Sequence, residues 1–186
     1  MLKSIIQRPF QPDPSLLLHE NIPLPLHGLA PRVVLGDSWW REERQKAYKS
    51  TDYHCLGCGV HKSKAKGKCL WLEGHEAYDV DYAKGTMTYY KTWPLCHYCH
   101  NFIHDGRLAW LLKTKKIPQS KYVAVMQHGE EVLARVGLVR PSREERLQEV
   151  LSKLTVEWGD WRLVVFGEEY KPLYPTYEDY QIAMGG

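Results

Sequence analysis

At 186 residues, with 44% hydrophobic and 25% charged side chains, the chain can bury one core and carry an appendage, and its composition excludes general disorder. Its net charge of +3 permits a nucleic-acid partner without requiring one. No apolar run approaches the roughly 18 residues of a bilayer span. Pro9 interrupts the start before any signal-peptide core forms, so the chain is expected to be cytoplasmic, with no membrane partner.

Residues 1–31 hold six of the eleven prolines and read as an extended arm lying on a surface. Asp37 or Ser38 is placed to cap a helix running to Tyr48, where apolar and charged positions alternate at helical spacing. A first Cys-x-x-Cys follows at 55–58, then a basic loop, HKSKAKGK. CLWLEGHEAY and GTMTYYKTW read as the two strands of a hairpin with DVDYAK between them. From His100 a helix is expected, weakened or divided by Gly106. Two further helices are expected at KYVAVMQHGEEVLARVG and SREERLQEVLSKLTVEW, the second opened by a capping box of Ser142 and Glu145. A strand, WRLVVFG, precedes a Tyr- and Pro-rich tail. The fold class is therefore α+β, and three segments are expected: a proline-rich arm (1–31), a zinc-stabilised domain (32–117) and a mainly helical extension (118–186).

Five cysteines in a reducing compartment do not make a disulfide framework. Cys55 and Cys58 are separated from Cys96 and Cys99 by 37 residues. Two such pairs let two backbone turns offer four thiolates to one tetrahedral Zn²⁺, and four sulfurs close the shell, so the ion is structural. Gly57 and Gly59 suit the tight first turn, and Leu56, Val60 and Leu95 supply an apolar collar. Cys69, the fifth, reads as a core residue of the first strand.

The second pair runs directly into His100 and His104, which share one face of a helix at i, i+4. The first strand carries His75 and Glu76, which meet that face if strand and helix pack side by side. Taken alone, these histidines also suit a structural role, bonding a zinc-bound sulfur or a carbonyl. The order of Cys-x-x-Cys-Gly at 55–59, Leu-x-x-His-Glu at 72–76 and Leu-Cys-x-x-Cys-His-x-x-x-His at 95–104 resembles the HNH endonucleases, the ββα-metal family. The likeness spans about residues 53–107 and extends to phage and bacterial HNH-like proteins.

The resemblance implies a small ββα unit stapled by zinc and gripping a second, catalytic ion such as Mg²⁺, Mn²⁺ or Ni²⁺. His75, His100 and His104 fall on the family's ligand positions, and Glu76 falls where its general-base histidine stands. A register shifted by one makes His75 the base and leaves Gly74 at a ligand position. Lys91 stands near the family's middle asparagine. The activity implied is metal-dependent hydrolysis of DNA phosphodiesters. The alternative is a catalytically degenerate, zinc-stabilised module that binds DNA or a host or phage protein. Lys62, Lys64, Lys66, Lys68 and Lys91 would contact the phosphate backbone, extended by Arg107, Lys113, Lys115 and Lys116 along the helix. Trp39, Trp40, Trp71, Trp93, Trp158 and Trp161 read mostly as core.

Overall fold

A computed structural model of the protein describes residues 10–65, 71–153 and 155–184. Lys66, Lys68 and Cys69, to which the sequence assigned phosphate contacts and a core position, lie outside them. The elements are α1 (Pro31–Ser50), β1 (Glu73–Asp81), β2 (Thr86–Leu95), α2 (His97–Ile103), α3 (Asp105–Lys113), α4 (Gln119–Ala134), α5 (Arg143–Lys153), β3 (Arg162–Val165), β4 (Glu168–Tyr170) and α6 (Tyr177–Met184). The architecture is α+β, with one four-stranded sheet in the order β1-β2-β3-β4. Among the described residues, no helix is long and apolar enough to cross a membrane.

The chain divides into two compact units, each assembled from three separate segments. The first draws on residues up to 17, on 47–73 and on 94–138; the second draws on 18–46, 74–93 and 139–186. The expected consecutive boundaries at 31 and 117 do not coincide with these, because α1, β1 and β2 each contribute to both units.

In the first unit α2, α3 and α4 pack together, with α4 lying most closely on α2. The close approach needs Gly129: a Cβ there would fall 2.1 Å from Cδ2 of the fully buried Phe102. The break expected near Gly106 occurs at His104, whose φ of −86° and ψ of 42° separate α2 from α3. The first unit also takes in part of the N-terminal arm. The Asp13 amide donates to the Leu56 carbonyl at 2.7 Å, and Leu17 is fully buried.

The second unit holds most of the sheet and a core of Leu26, Leu29, Tyr78, Met87, Trp161 and Leu163. The arm contributes here too: Leu26 and Leu29 are buried, while Glu20, Asn21 and Gly28 are exposed. β3 pairs in parallel with β2 (Met87 opposite Leu163), as a long excursion between them allows. β3 and β4 form a hairpin across Phe166 and Gly167, both at positive φ (53° and 89°), the geometry of a primed two-residue turn. The capping box is present: the Ser142 amide donates to Glu145 Oε2 at 2.7 Å, and the Glu145 amide to Ser142 Oγ at 3.1 Å.

Candidate metal centre

Two turns of the first unit carry the cysteines. In the first, the Cys55 amide donates to the Val60 carbonyl and the Gly59 amide returns to the Cys55 carbonyl. Gly59 adopts φ of +80°, which a side chain would resist. In the second, Cys96 is the N-cap of α2, and its sulfur accepts the Cys99 amide at 3.5 Å. Four sulfurs result, all within 4.8 Å of one another. Cys58 Sγ and Cys96 Sγ are 3.7 Å apart. A tetrahedron with Zn–S bonds of about 2.3 Å has an edge of ~3.8 Å, so the spacing suits four ligands around one ion rather than a disulfide. The four cysteines form a site able to bind a metal ion such as zinc.

The electrostatics also ask for a cation. Cys55, Cys96 and Cys99 are buried, and Cys58 is half-buried. Hydrogen bonds from Cys55, Cys96 and Cys99 hold the Cys58 thiol far below its ordinary range. Hydrogen bonding with Cys55 and Cys58 pushes Cys96 and Cys99 far above it. Each thiolate formed in so small a volume makes the next harder to form. A divalent ion removes the conflict by stabilising all four.

Sequence reasoning missed His128, in the middle of α4. Its Nε2 stands 3.4 Å from Cys99 Sγ and 3.9 Å from Cys96 Sγ. No local spacing reveals it, since it lies 29 residues beyond Cys99 and only the packing of α4 on α2 brings it there. Beside the sulfurs opens a cleft of about 400 Å³, lined among others by Cys58, Lys64, Tyr98, His128, Glu131 and Arg135.

A second cluster begins inside the second knuckle, at His97, and continues at His100 just past it. Glu73 receives His97 Nδ1 on one carboxylate oxygen and His100 Nδ1 on the other, each at 2.6 Å. Burial raises the Glu73 pKa, but the hydrogen bonds and charges of His100 and His97 outweigh it and hold the carboxyl well below its usual range. The His100 and His104 rings meet edge to face with centroids 4.7 Å apart, one helical turn along α2. Glu73 was hidden in the sequence as an unassigned position of Leu-x-x-His-Glu.

The remaining strand residues belong to the second unit. His75 is 3% exposed, stacked on Trp93 at 5.6 Å and met edge-on by His19 at 5.1 Å. His19, from the proline-rich arm, accepts the Tyr78 amide at 3.0 Å, and burial lowers its pKa. Side chains alternate along a strand, so Glu73 and His75 share one face of β1 and Glu76 turns to the other. Arg32 Nη1 donates to both carboxylate oxygens of Glu76, at 2.5 and 2.7 Å. The sequence expected Glu76 as a base beside His75; alternation puts it on the opposite face of β1, and Arg32 pairs with it there.

Of the lysines, Lys62 sits over the Tyr53 ring at 3.4 Å, Lys64 borders the cleft, and Lys91 is exposed beside Tyr90. Trp161 and Trp93 are core as expected, whereas Trp71 and Trp110 are exposed.

Compared with family profiles, curated proteins and solved structures, the chain finds no match.

Proposed function

We propose that the chain is an HNH-like, divalent-metal-dependent endonuclease acting on DNA, held together by a structural zinc on Cys55, Cys58, Cys96 and Cys99. One observation carries the reading: Glu73 takes the Nδ1 hydrogen of His100, with His104 one turn further along. A carboxylate on one imidazole nitrogen is how metal-binding histidines are oriented, because it fixes the tautomer and leaves the lone pair on Nε2. His75 is kept as the third ligand on the HNH resemblance alone, since it matches one of that family's ligand positions.

An ion bound there supplies Lewis acidity toward a phosphoryl oxygen and acidifies bound water. Glu73 sets the direction of His100, and Trp93 and His19 restrain the ring of His75. Because Glu76 is held by Arg32, it is given no proton-transfer role. Substrate contact is assigned to Lys62, Lys64 and Lys91 and to the segment 106–129, which carries Arg107, Lys113, Lys115, Lys116 and Lys121 and no carboxylate.

A second reading, a zinc-stabilised module that binds DNA or a phage or host protein without cutting it, is favoured by the Glu76–Arg32 pair and by Lys91 near the family's asparagine position. A plasmid-cleavage assay across Mg²⁺, Mn²⁺ and Ni²⁺ separates the two. The nuclease reading predicts nicking that falls about a hundredfold in His100→Ala, as loss of a metal-site group requires, and stays near wild type in Glu76→Gln. An intact plasmid under every metal, with a retained gel shift, establishes the binding module instead. Cutting that survives His100→Ala removes the ligand assignment.

A further inference from the structure

We propose that His128 completes the cysteine metal centre, donating its Nε2 hydrogen to the metal-bound sulfurs of Cys99 and Cys96 and thereby controlling how tightly the metal is kept. The inference rests on the four-cysteine site and is independent of the nuclease reading.

Three features place the ring. Gly129 lets α4 approach α2 so closely that no Cβ fits between Gly129 and Phe102. That approach sets the preceding residue, His128, above the second knuckle, 3.4 Å from one sulfur and 3.9 Å from another. Tyr98, between the two cysteines of that knuckle, then meets the imidazole edge-on, with ring centroids 5.5 Å apart and planes at 85°. The sulfur contacts thus come from a side chain fixed on two sides.

The chemistry asks for such a donor. Four thiolates around Zn²⁺ leave a net charge of −2 in a site where three of the four cysteines are buried. Hydrogen bonds from the backbone answer part of it, as the Cys99 amide does for Cys96. Arg135 Nη1 lies 3.5 Å from the Cys58 carbonyl, and Lys64 borders the same cleft. His128 differs from both in reaching the sulfur atoms themselves. An N–H donated to a thiolate draws electron density off it, making the sulfur a poorer base and a poorer nucleophile. Protons and chelators arriving through the cleft then compete less well for the metal. The cleft is where this matters, because Cys58 and Cys96 both line it.

The test uses the full chain loaded with zinc, and in parallel with Co²⁺. His128→Leu removes the donor and His128→Gln keeps an amide N–H at similar reach. The proposal expects His128→Leu to release zinc to a chelator about 10- to 100-fold faster than wild type, with His128→Gln between the two. In the Co²⁺ form, His128→Leu should keep the tetrahedral four-sulfur pattern while its sulfur-to-cobalt charge-transfer band moves to lower energy, as more electron-rich thiolates require. Release at the wild-type rate with an unmoved band would overturn the proposal. So would a Co²⁺ spectrum showing nitrogen coordination that vanishes in His128→Leu, since His128 would then be a ligand and not a donor to ligands. If His128→Leu does not fold, His128→Asn, whose amide is too short to reach the sulfurs, replaces it with the same expectations.

Discussion

Replacing Gly129 by alanine sets helix propensity against packing. In an isolated helix the change is favourable by about 0.8–1.0 kcal/mol. In this protein the new methyl would lie 2.1 Å from Phe102 Cδ2 and 2.2 Å from its Cγ. Carbon atoms rest at about 3.5–4.0 Å, so helix or ring must yield by about 1.5 Å. Phe102 is fully buried and has no solvent to turn into. Overpacking of this severity costs about 3 kcal/mol, at the upper end of the usual range. After subtraction of the propensity gain, a net loss of about 2 kcal/mol remains, or a fall in Tm of about 4–8 °C for a chain of this size. Because α4 carries His128, the same displacement should speed zinc release to a chelator. Thermal melts of the zinc-loaded variant check the first effect and a colorimetric release assay the second. A Gly129→Ala protein as stable as wild type would refute the close packing of α4 on α2.

Three further outcomes are expected. Serine at Cys55, Cys58, Cys96 or Cys99 should abolish stoichiometric zinc and leave the first unit unfolded in circular dichroism and proteolysis, since metal binding at such sites is folding free energy. Glu73→Gln should cost about 1 kcal/mol, because hydrogen bonds to a charged group are strong but the side chain is 36% exposed and screened. The Glu73 carboxyl has a folded pKa below its unfolded value of about 4.3. Its contribution is therefore complete above that unfolded value and disappears as pH falls through the folded one. Urea titrations should show the two proteins differing at pH 6 and converging in strong acid. Arg32→Met should destabilise by about 2–3 kcal/mol, as it strands a Glu76 carboxylate only 8% exposed, discounted because Arg32 itself is 50% exposed; a urea midpoint unchanged from wild type would contradict the pair's role.

Much of this was legible in the chain before any coordinates. The cysteine spacing announced a four-ligand site because each turn must present two sulfurs, a purely local requirement. The hairpin, the divided helix after His100 and the Ser142–Glu145 box were likewise written in periodicity and cap chemistry. What escaped depended on distant segments. His128 reaches the sulfurs only through helix packing, and Arg32 reaches Glu76 from 44 positions away. Glu73 drew no attention beside His75 and Glu76, although alternation makes it His75's companion on the strand and Glu76 the outlier. In the proline-rich arm, prolines shape the backbone, while leucines such as Leu17 and Leu26 decide which positions enter a core. The hairpin at Phe166–Gly167 and helix α6 were passed over because Phe-Gly is not among the favoured turn pairs and the tail is aromatic rather than amphipathic.

The measurement that tests the account most directly is elemental analysis of the folded, purified chain together with X-ray absorption at the zinc edge. The account predicts one zinc per chain with four sulfur neighbours at about 2.3 Å. A folded protein that carries no zinc, or a metal bound mainly through nitrogen and oxygen, would contradict it.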